Sequence, residues 1–262
     1  MIEAPHWPRA AIDAWRGEMV RLADMTVHVP GTRRERLSVI VGNLRIHRLL
    51  DRTVRPDAIV IDVGANIGYN TIRAALRAGP RGRVVAVEPT PDTLVVLRHN
   101  IAASGLSNID IAPVAAGSIA GKENFFVRGA TSAVNSLFPN SRYASVTNVL
   151  RVPVMRLDDL VTGAADVVKI DVEGAELEVL EGMPRILSGP RVALIVEWDP
   201  LLQQMAGFGP DALPHWFLKR GWRLEAASHL TVRPLTAEEV STLTARLKQM
   251  RRPVELLARR EP

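Results

Sequence analysis

Four acids stand where this chain passes from an apolar run into a loop: Asp62 after Ile59-Val-Ile, Glu88 after Val84-Val-Ala-Val, Asp171 after Val167-Val-Lys-Ile, and Glu197 after Ala193-Leu-Ile-Val. If those runs are neighbouring strands of a parallel sheet, all four carboxylates reach one crevice, because ligands of such sheets sit outside the carboxyl ends of the strands. Glu88 lies 26 positions after Asp62, close to the ~20-residue interval at which an acid accepts hydrogen bonds from a ribose diol. The turn after Asp62 reads Val-Gly64-Ala65-Asn66-Ile-Gly68-Tyr69. A dinucleotide fingerprint starting at Gly64 needs glycines at 66 and 69, where Asn66 and Tyr69 stand, and the second of those glycines lets backbone approach a pyrophosphate. The loop therefore suits a cofactor without phosphate, whose cationic groups need acids and carbonyl oxygens, as S-adenosylmethionine (SAM) does.

The elements that must position these groups follow from periodicity. Strands are predicted at Ile59–Val63, Val84–Val87, Ile109–Val114, Val167–Ile170, Ala193–Val196, Trp222–Ala226 and Val254–Ala258. Helices are predicted at Asn70–Ala78, Thr90–Ala103, Ala175 to about Leu187, and Leu213–Arg220. Alternation at this spacing implies an α/β domain with a mostly parallel sheet covered by helices on both faces. The first 55 residues look helical and peripheral, with helical spacing at Ala10–Leu22 and Leu37–Leu50. The expected organisation is a helical extension over residues 1–55 and one sheet domain over residues 56–262.

The sequence has 262 residues, 47% hydrophobic and 23% charged, with no cysteine and a formal charge of +5. That length supports one sizeable core, and the absence of cysteine excludes disulfides, thiolate metal sites and cysteine nucleophiles. No apolar run approaches the ~20 residues that cross a bilayer, so a soluble, cytoplasmic protein is expected. The basic excess permits a nucleic-acid partner, but Glu35 interrupts Arg33-Arg34-Glu35-Arg36 and aromatic residues make up only 5%, too few for a stacking platform. No nucleic-acid binding and no membrane are expected. Nothing excludes a homo-oligomer.

Three segments, Ile61-Asp-Val-Gly-Ala-Asn-Ile-Gly-Tyr-Asn-Thr71, Val84-Val-Ala-Val-Glu-Pro89 and above all Lys169-Ile-Asp-Val-Glu-Gly-Ala-Glu-Leu-Glu-Val-Leu-Glu-Gly182, resemble the FkbM family of SAM-dependent methyltransferases. The resemblance covers about residues 55–200, and Gly221-Trp222-Arg223 is similar to the start of the family's late strand. It implies a class I methyltransferase sheet, Rossmann-like and seven-stranded, and O-methylation of a hydroxyl on a sugar, polyketide or other secondary metabolite. By the same resemblance Asp62, Gly64, Ala65, Asn66 and Gly68 form the methionine-side loop and Glu88 clamps the ribose. Ala115, in Pro113-Val-Ala-Ala-Gly117, lies near the adenine, and Ser132 falls in the family's serine region.

Chemistry at the acceptor needs a group that takes the hydroxyl proton. Asp171 and Glu173 are two apart where a strand becomes a loop, so either is a candidate general base, although Glu173 in a first helical turn could instead serve the helix dipole. Alternatively Asp171 and Glu197 hold a hard divalent cation such as Mg2+ that acidifies the hydroxyl. Lys169 reads as a structural ion-pair partner rather than a catalytic amine. His28 and His229 are further candidate bases, in predicted loops. The alternatives to a small-molecule enzyme are a nucleic-acid methyltransferase and a non-catalytic SAM or nucleic-acid binder; an Asn/Asp-Pro-Pro-aromatic tetrapeptide after the fourth strand would favour the former, and Asp171-Val-Glu-Gly174 stands there.

Overall fold

The structure, a computed structural model, describes residues 17–22, 25–30, 33–128, 135–139, 145–227 and 231–260. In chain order the elements are β1 (Gly17–Leu22), β2 (Met25–Pro30), α1 (Arg33–Thr53), β3 (Ile59–Val63), α2 (Tyr69–Ala78), β4 (Arg83–Val87), α3 (Pro91–Ser104), β5 (Ile109–Ala112) and β6 (Ala115–Ala116). There follow β7 (Gly121–Val127), β8 (Asn148–Met155), α4 (Leu157–Leu160), β9 (Val167–Ile170), α5 (Glu176–Glu181), α6 (Pro184–Leu187) and β10 (Ala193–Trp198). The chain ends with α7 (Pro200–Met205), α8 (Ala212–Leu218), β11 (Arg223–Ala227), β12 (Val232–Pro234), α9 (Ala237–Met250) and β13 (Val254–Arg259).

The main sheet has eight strands in the order β12-β11-β13-β10-β9-β3-β4-β5. Its five strands from β10 to β5 are parallel, and β13 enters antiparallel between β10 and β11. This is the doubly wound, Rossmann-like arrangement expected, with the short β12 added to the seven strands predicted. Burial on both faces explains the near-continuous apolar runs. Ile61, Val63, Val168 and Ile170 face a core completed by Leu180, Met183 and Phe217, while Val60, Val84 and Val167 face α1 and α2 through Leu49, Leu50, Ala74 and Ala78. Leu177 and Leu180 are core, as predicted.

Three local predictions are corrected. Gly17–Leu22 is a strand in a hairpin with β2, not the end of a helix, and residues 1–16 lie outside those described. The predicted strand Ile109–Val114 stops at Ala112, because Pro113 has no amide to continue the ladder. The chain then moves into a separate three-stranded sheet, β6-β8-β7. The helix predicted from Ala175 to Leu187 is two short helices. Pro184 starts the second, and Gly182 packs so tightly that a Cβ there would fall 2.1 Å from the Gly117 carbonyl oxygen.

The hairpin is tied to the sheet domain by Asn100, which is fully buried on α3. Its Oδ1 accepts from the His28 amide at 2.7 Å, and its Nδ2 donates to the carbonyls of His28 at 3.0 Å and Ile67 at 2.7 Å. One side chain thus joins β2 to the loop after β3. Asn100→Ala leaves three buried backbone groups without this partner, and each costs roughly 1–3 kcal/mol when unsatisfied. A loss of about 3 kcal/mol or more is expected in urea unfolding; a loss below about 1 kcal/mol would show that the hairpin is not held this way.

Candidate active site

The ion pair beneath the crevice follows from strand register. Asp62 on β3 is the direct partner of Lys169 on the parallel strand β9, so their side chains leave the same face of the sheet. Lys169 Nζ lies 3.2 Å from Asp62 Oδ1 and 3.5 Å from Asp171 Oδ2, and donates to the Gly64 carbonyl at 3.0 Å. Asp62 Oδ2 accepts from Thr71 Oγ1 at 2.6 Å. Burial alone would lower the lysine pKa, but the charges of Asp62 and Asp171 outweigh it and raise the pKa, so the amine stays cationic. Lys169 is an ion-pair partner, as read from the sequence.

The loop above this pair turns at Gly64, where φ is +75° and a Cβ would stand 2.0 Å from the Asp171 carbonyl oxygen. Only glycine fits. Asn66 adopts φ +49° and points its amide at Glu88 Oε2, 3.1 Å away. The amides of Gly64 and Ala65 donate to the Val87 carbonyl at 3.0 Å each, and that of Gly68 to Ala65 at 2.9 Å. Four amides that could cradle a pyrophosphate in a dinucleotide site are thus already hydrogen-bonded, three to Val87 and Glu88 and one within the loop.

A cavity of about 730 Å³ opens over the carboxyl ends of the strands. Gly64, Ala65, Asn66, Glu88 and Ala115 all line it. Asp62 and Gly68 do not: Asp62 is buried beneath the loop, its carboxylate turned to Lys169 and Thr71, and Gly68 packs against Leu97. Both support the loop from below. Glu88 also accepts from the Thr90 amide at 2.9 Å, and burial raises its pKa despite these bonds.

Asp171, Glu173 and Glu197 converge further along, with one carboxylate oxygen from each lying within 4.8 Å of the others. Glu255 on β13 is the direct partner of Glu197 across the antiparallel pair and lines the same cavity. Burial raises the pKa of Glu197 well above the ordinary range, and the neighbouring acids push it further. The loop carrying Asp171 and Glu173 is held by Glu176, whose Oε1 accepts from the amides of Gly174 at 3.0 Å and Val172 at 3.3 Å. Gln203 donates to its Oε2 at 2.6 Å. With Glu173 at φ +56° and Gly174 at +106°, this carboxylate fixes an otherwise unfavourable turn.

Sequence reasoning missed Glu176, which holds the turn from behind, and Glu255, Asn43 and Arg45, which complete the wall. Glu255 was signalled by a lone acid in the apolar strand Val-Glu-Leu-Leu-Ala; the others had no comparable signal. His28 sits buried in β2 rather than in a loop, and Ser132 and His229 lie outside the described residues.

The sequence model of the methyltransferase FkbM domain matches residues 62–224. The chain belongs to the FkbM methyltransferase family. Similar proteins include the hexuronic acid methyltransferase AglP of Haloferax volcanii, 29% identical over 164 residues that make up 61% of this chain and 64% of that protein. Methyltransferase 1 of Beauveria bassiana is 26% identical over 147 residues, 48% of this chain and 59% of that one. The chain thus spans less than two thirds of the length of these relatives. Among solved structures, methyltransferase FkbM from Methylobacillus flagellatus KT is 16% identical, with a TM-score of 0.48 over 73% of this chain and 57% of that one. The FkbM match omits β1, β2 and α1, so Asn43 and Arg45 come from outside it.

Burial, opposed by the hydrogen bonds to Gly174 and Val172, raises Glu176 to about 7. A carboxyl whose folded pKa exceeds its unfolded value keeps its full stability contribution below the unfolded pKa, and loses it as pH rises through the folded one. Glu176→Gln removes this loss while the amide oxygen can still accept from the loop. The stability of Glu176→Gln relative to wild type is expected to improve by up to ~3 kcal/mol between pH 4.5 and 7. Denaturation at several pH values checks it, and a difference that does not vary with pH would contradict it.

Proposed function

We propose that this protein transfers the methyl group of SAM to a hydroxyl of a small molecule. The observation that carries the reading is the loop after β3, whose amides at Gly64, Ala65, Asn66 and Gly68 are already hydrogen-bonded while Glu88 and the acids beyond it line the cavity. A phosphate would find no free amide at Gly64, Ala65, Asn66 or Gly68 and would face Glu88. A cationic, phosphate-free cofactor fits, and the steric demand at Gly64 keeps the loop backbone bare for its approach.

When bound, SAM supplies a methyl group on a sulfonium that leaves as a neutral thioether. The protein's share is alignment and proton removal. Glu88 would accept from the ribose hydroxyls with the lone pairs that the Asn66 and Thr90 amides leave open, and Ala115 would give the adenine an apolar contact. Asp171 or Glu173 takes the proton of the acceptor hydroxyl. A carbohydrate acceptor is supported by the Haloferax volcanii relative, a hexuronic acid methyltransferase. The acidic wall disfavours a nucleic-acid substrate, whose phosphates it would repel.

A second reading of the acceptor site is favoured by the convergence of Asp171, Glu173 and Glu197 within 4.8 Å. Three carboxylates suit a hard divalent cation such as Mg2+, which would acidify the hydroxyl.

Two substitutions separate cofactor binding from chemistry. Glu88→Ala is expected to weaken SAM or S-adenosylhomocysteine binding by roughly 10- to 100-fold, equivalent to ~1.5–3 kcal/mol for hydrogen bonds to a charged group; equal calorimetric affinity would remove Glu88 from the ribose. Asp171→Asn is expected to leave cofactor binding largely intact and to lower turnover by ~10²-fold or more. If EDTA abolishes turnover and Mg2+ restores it, the three acids are cation ligands and the direct-base account fails.

A further inference from the structure

The cationic side chains described in the cavity wall, Lys169, Arg128 and Arg45, differ in how far the protein satisfies them. Lys169 is surrounded by Asp62, Asp171 and loop carbonyls. Arg128 is committed to the segment that follows β7: its Nη2 donates to the carbonyls of Phe138 at 2.8 Å and Pro139 at 2.9 Å, and its Nη1 to that of Phe126 at 3.3 Å. Arg45 is not satisfied in this way. Its Nη1 reaches the Pro253 carbonyl only at 3.5 Å, and its Nη2 lies 3.8 Å from Glu255 Oε1, too far for a hydrogen bond. Its Nε is buried with no hydrogen-bond partner, and the side chain is only 13% exposed. A guanidinium carries five donors, and withdrawing them from water without acceptors is costly.

Strand order places this group. Along the sheet edge, Glu88 follows β4, the Gly64 loop follows β3, Asp171 follows β9, Glu197 ends β10, and Glu255 with Arg45 beside it lies on β13. With neighbouring strands about 4.8 Å apart, Arg45 stands roughly 19 Å along the edge from the ribose side, and about 5–10 Å beyond the acids at the methylated hydroxyl. On the methyl-transfer reading the cofactor would lie at one end, the reacting oxygen in the middle, and Arg45 at the far end of the acceptor.

The geometry points to Arg45 as the residue that recognises a carboxylate on the acceptor, about one or two strand spacings from the hydroxyl that is methylated. This rests on the methyl-transfer reading above and names the substrate class as a hydroxylated acid. A carboxylate matches the planar fork of a guanidinium in two parallel hydrogen bonds. As a monoanion it is also repelled less by Glu197 and Glu255 than a phosphate dianion would be. In the reaction the acceptor oxygen bonds to the methyl carbon, the carbon–sulfur bond breaks with its electron pair left on sulfur, and the hydroxyl proton passes to the acid cluster. Arg45 takes no part in these changes and fixes the acceptor's register.

The test titrates D-glucuronate, D-glucuronamide and D-glucose into the protein saturated with S-adenosylhomocysteine, by ligand-observed NMR. Glucuronate is expected to bind about 10-fold or more tighter than either neutral sugar. Arg45→Met should erase that preference while S-adenosylhomocysteine affinity is kept. The double variant Arg45→Met/Glu255→Gln, which also removes the acid that Arg45 faces, should behave alike and guards against misfolding. Equal binding of the three sugars, no binding of glucuronate, or a preference that survives in Arg45→Met would overturn the proposal. If S-adenosylhomocysteine itself fails to bind, the methyl-transfer reading has failed instead, and the same titrations on the free protein still decide the role of Arg45.

Discussion

The crevice depends on a buried cation. Lys169 is 2% exposed and sits where parallel register brings β9 beside Asp62 of β3. Taking an ammonium out of water is unfavourable unless oxygens replace the water, and here two carboxylates and the Gly64 carbonyl do so. Losing either member of such a pair costs about 3–5 kcal/mol because it strands the other charge. The pair therefore fixes the height of the Gly64 loop above the sheet and the direction of its carbonyls. It also ties Asp171, at the start of the acid cluster, to the same point.

Everything on the cavity's polar side follows from where that loop is held. Its amides close onto Val87 and Glu88, so it offers no anion nest, and Glu88 is anchored by Asn66 and Thr90 with lone pairs to spare. On the neighbouring strand the Asp171–Gly174 turn is held by Glu176 and, through it, by Gln203 of α7. Glu197 and Glu255 stand on strands, while Asp171 and Glu173 are carried on a loop pinned from behind by the buried Glu176. This is a preorganised arrangement, in which the cost of crowding charges is met by folding rather than at the moment of reaction.

Much of this was legible in the residues. The strands carrying Asp62, Glu88, Asp171 and Glu197 are buried on both faces and read as uninterrupted apolar runs, so their ends could be located to within a residue or two. The glycine spacing after Asp62 spoke against a dinucleotide loop, and the detail that bears on it, which amides are already hydrogen-bonded, depends on the φ of Asn66. What was not legible arose from contacts distant in sequence. Asp62 was placed in the cavity because strand ends point there, but its register partner Lys169 turns it inward. The β7–β8 hairpin was hidden by Pro153 within a central strand and by the polar start of β7, both of which argue against strand. The helix α9 carried a Thr236–Glu239 capping box that should have announced it. Arg45 sits on a helix with no motif, and only the fold brings it to Glu255.

The central claim is that the loop after β3 accepts a cationic cofactor without phosphate. Calorimetric titration of the unmodified protein with S-adenosylhomocysteine and, separately, with NAD+ tests it most directly. The expected result is saturable binding of S-adenosylhomocysteine and no measurable heat with NAD+. Binding of NAD+ at comparable affinity, or of neither ligand, would contradict it.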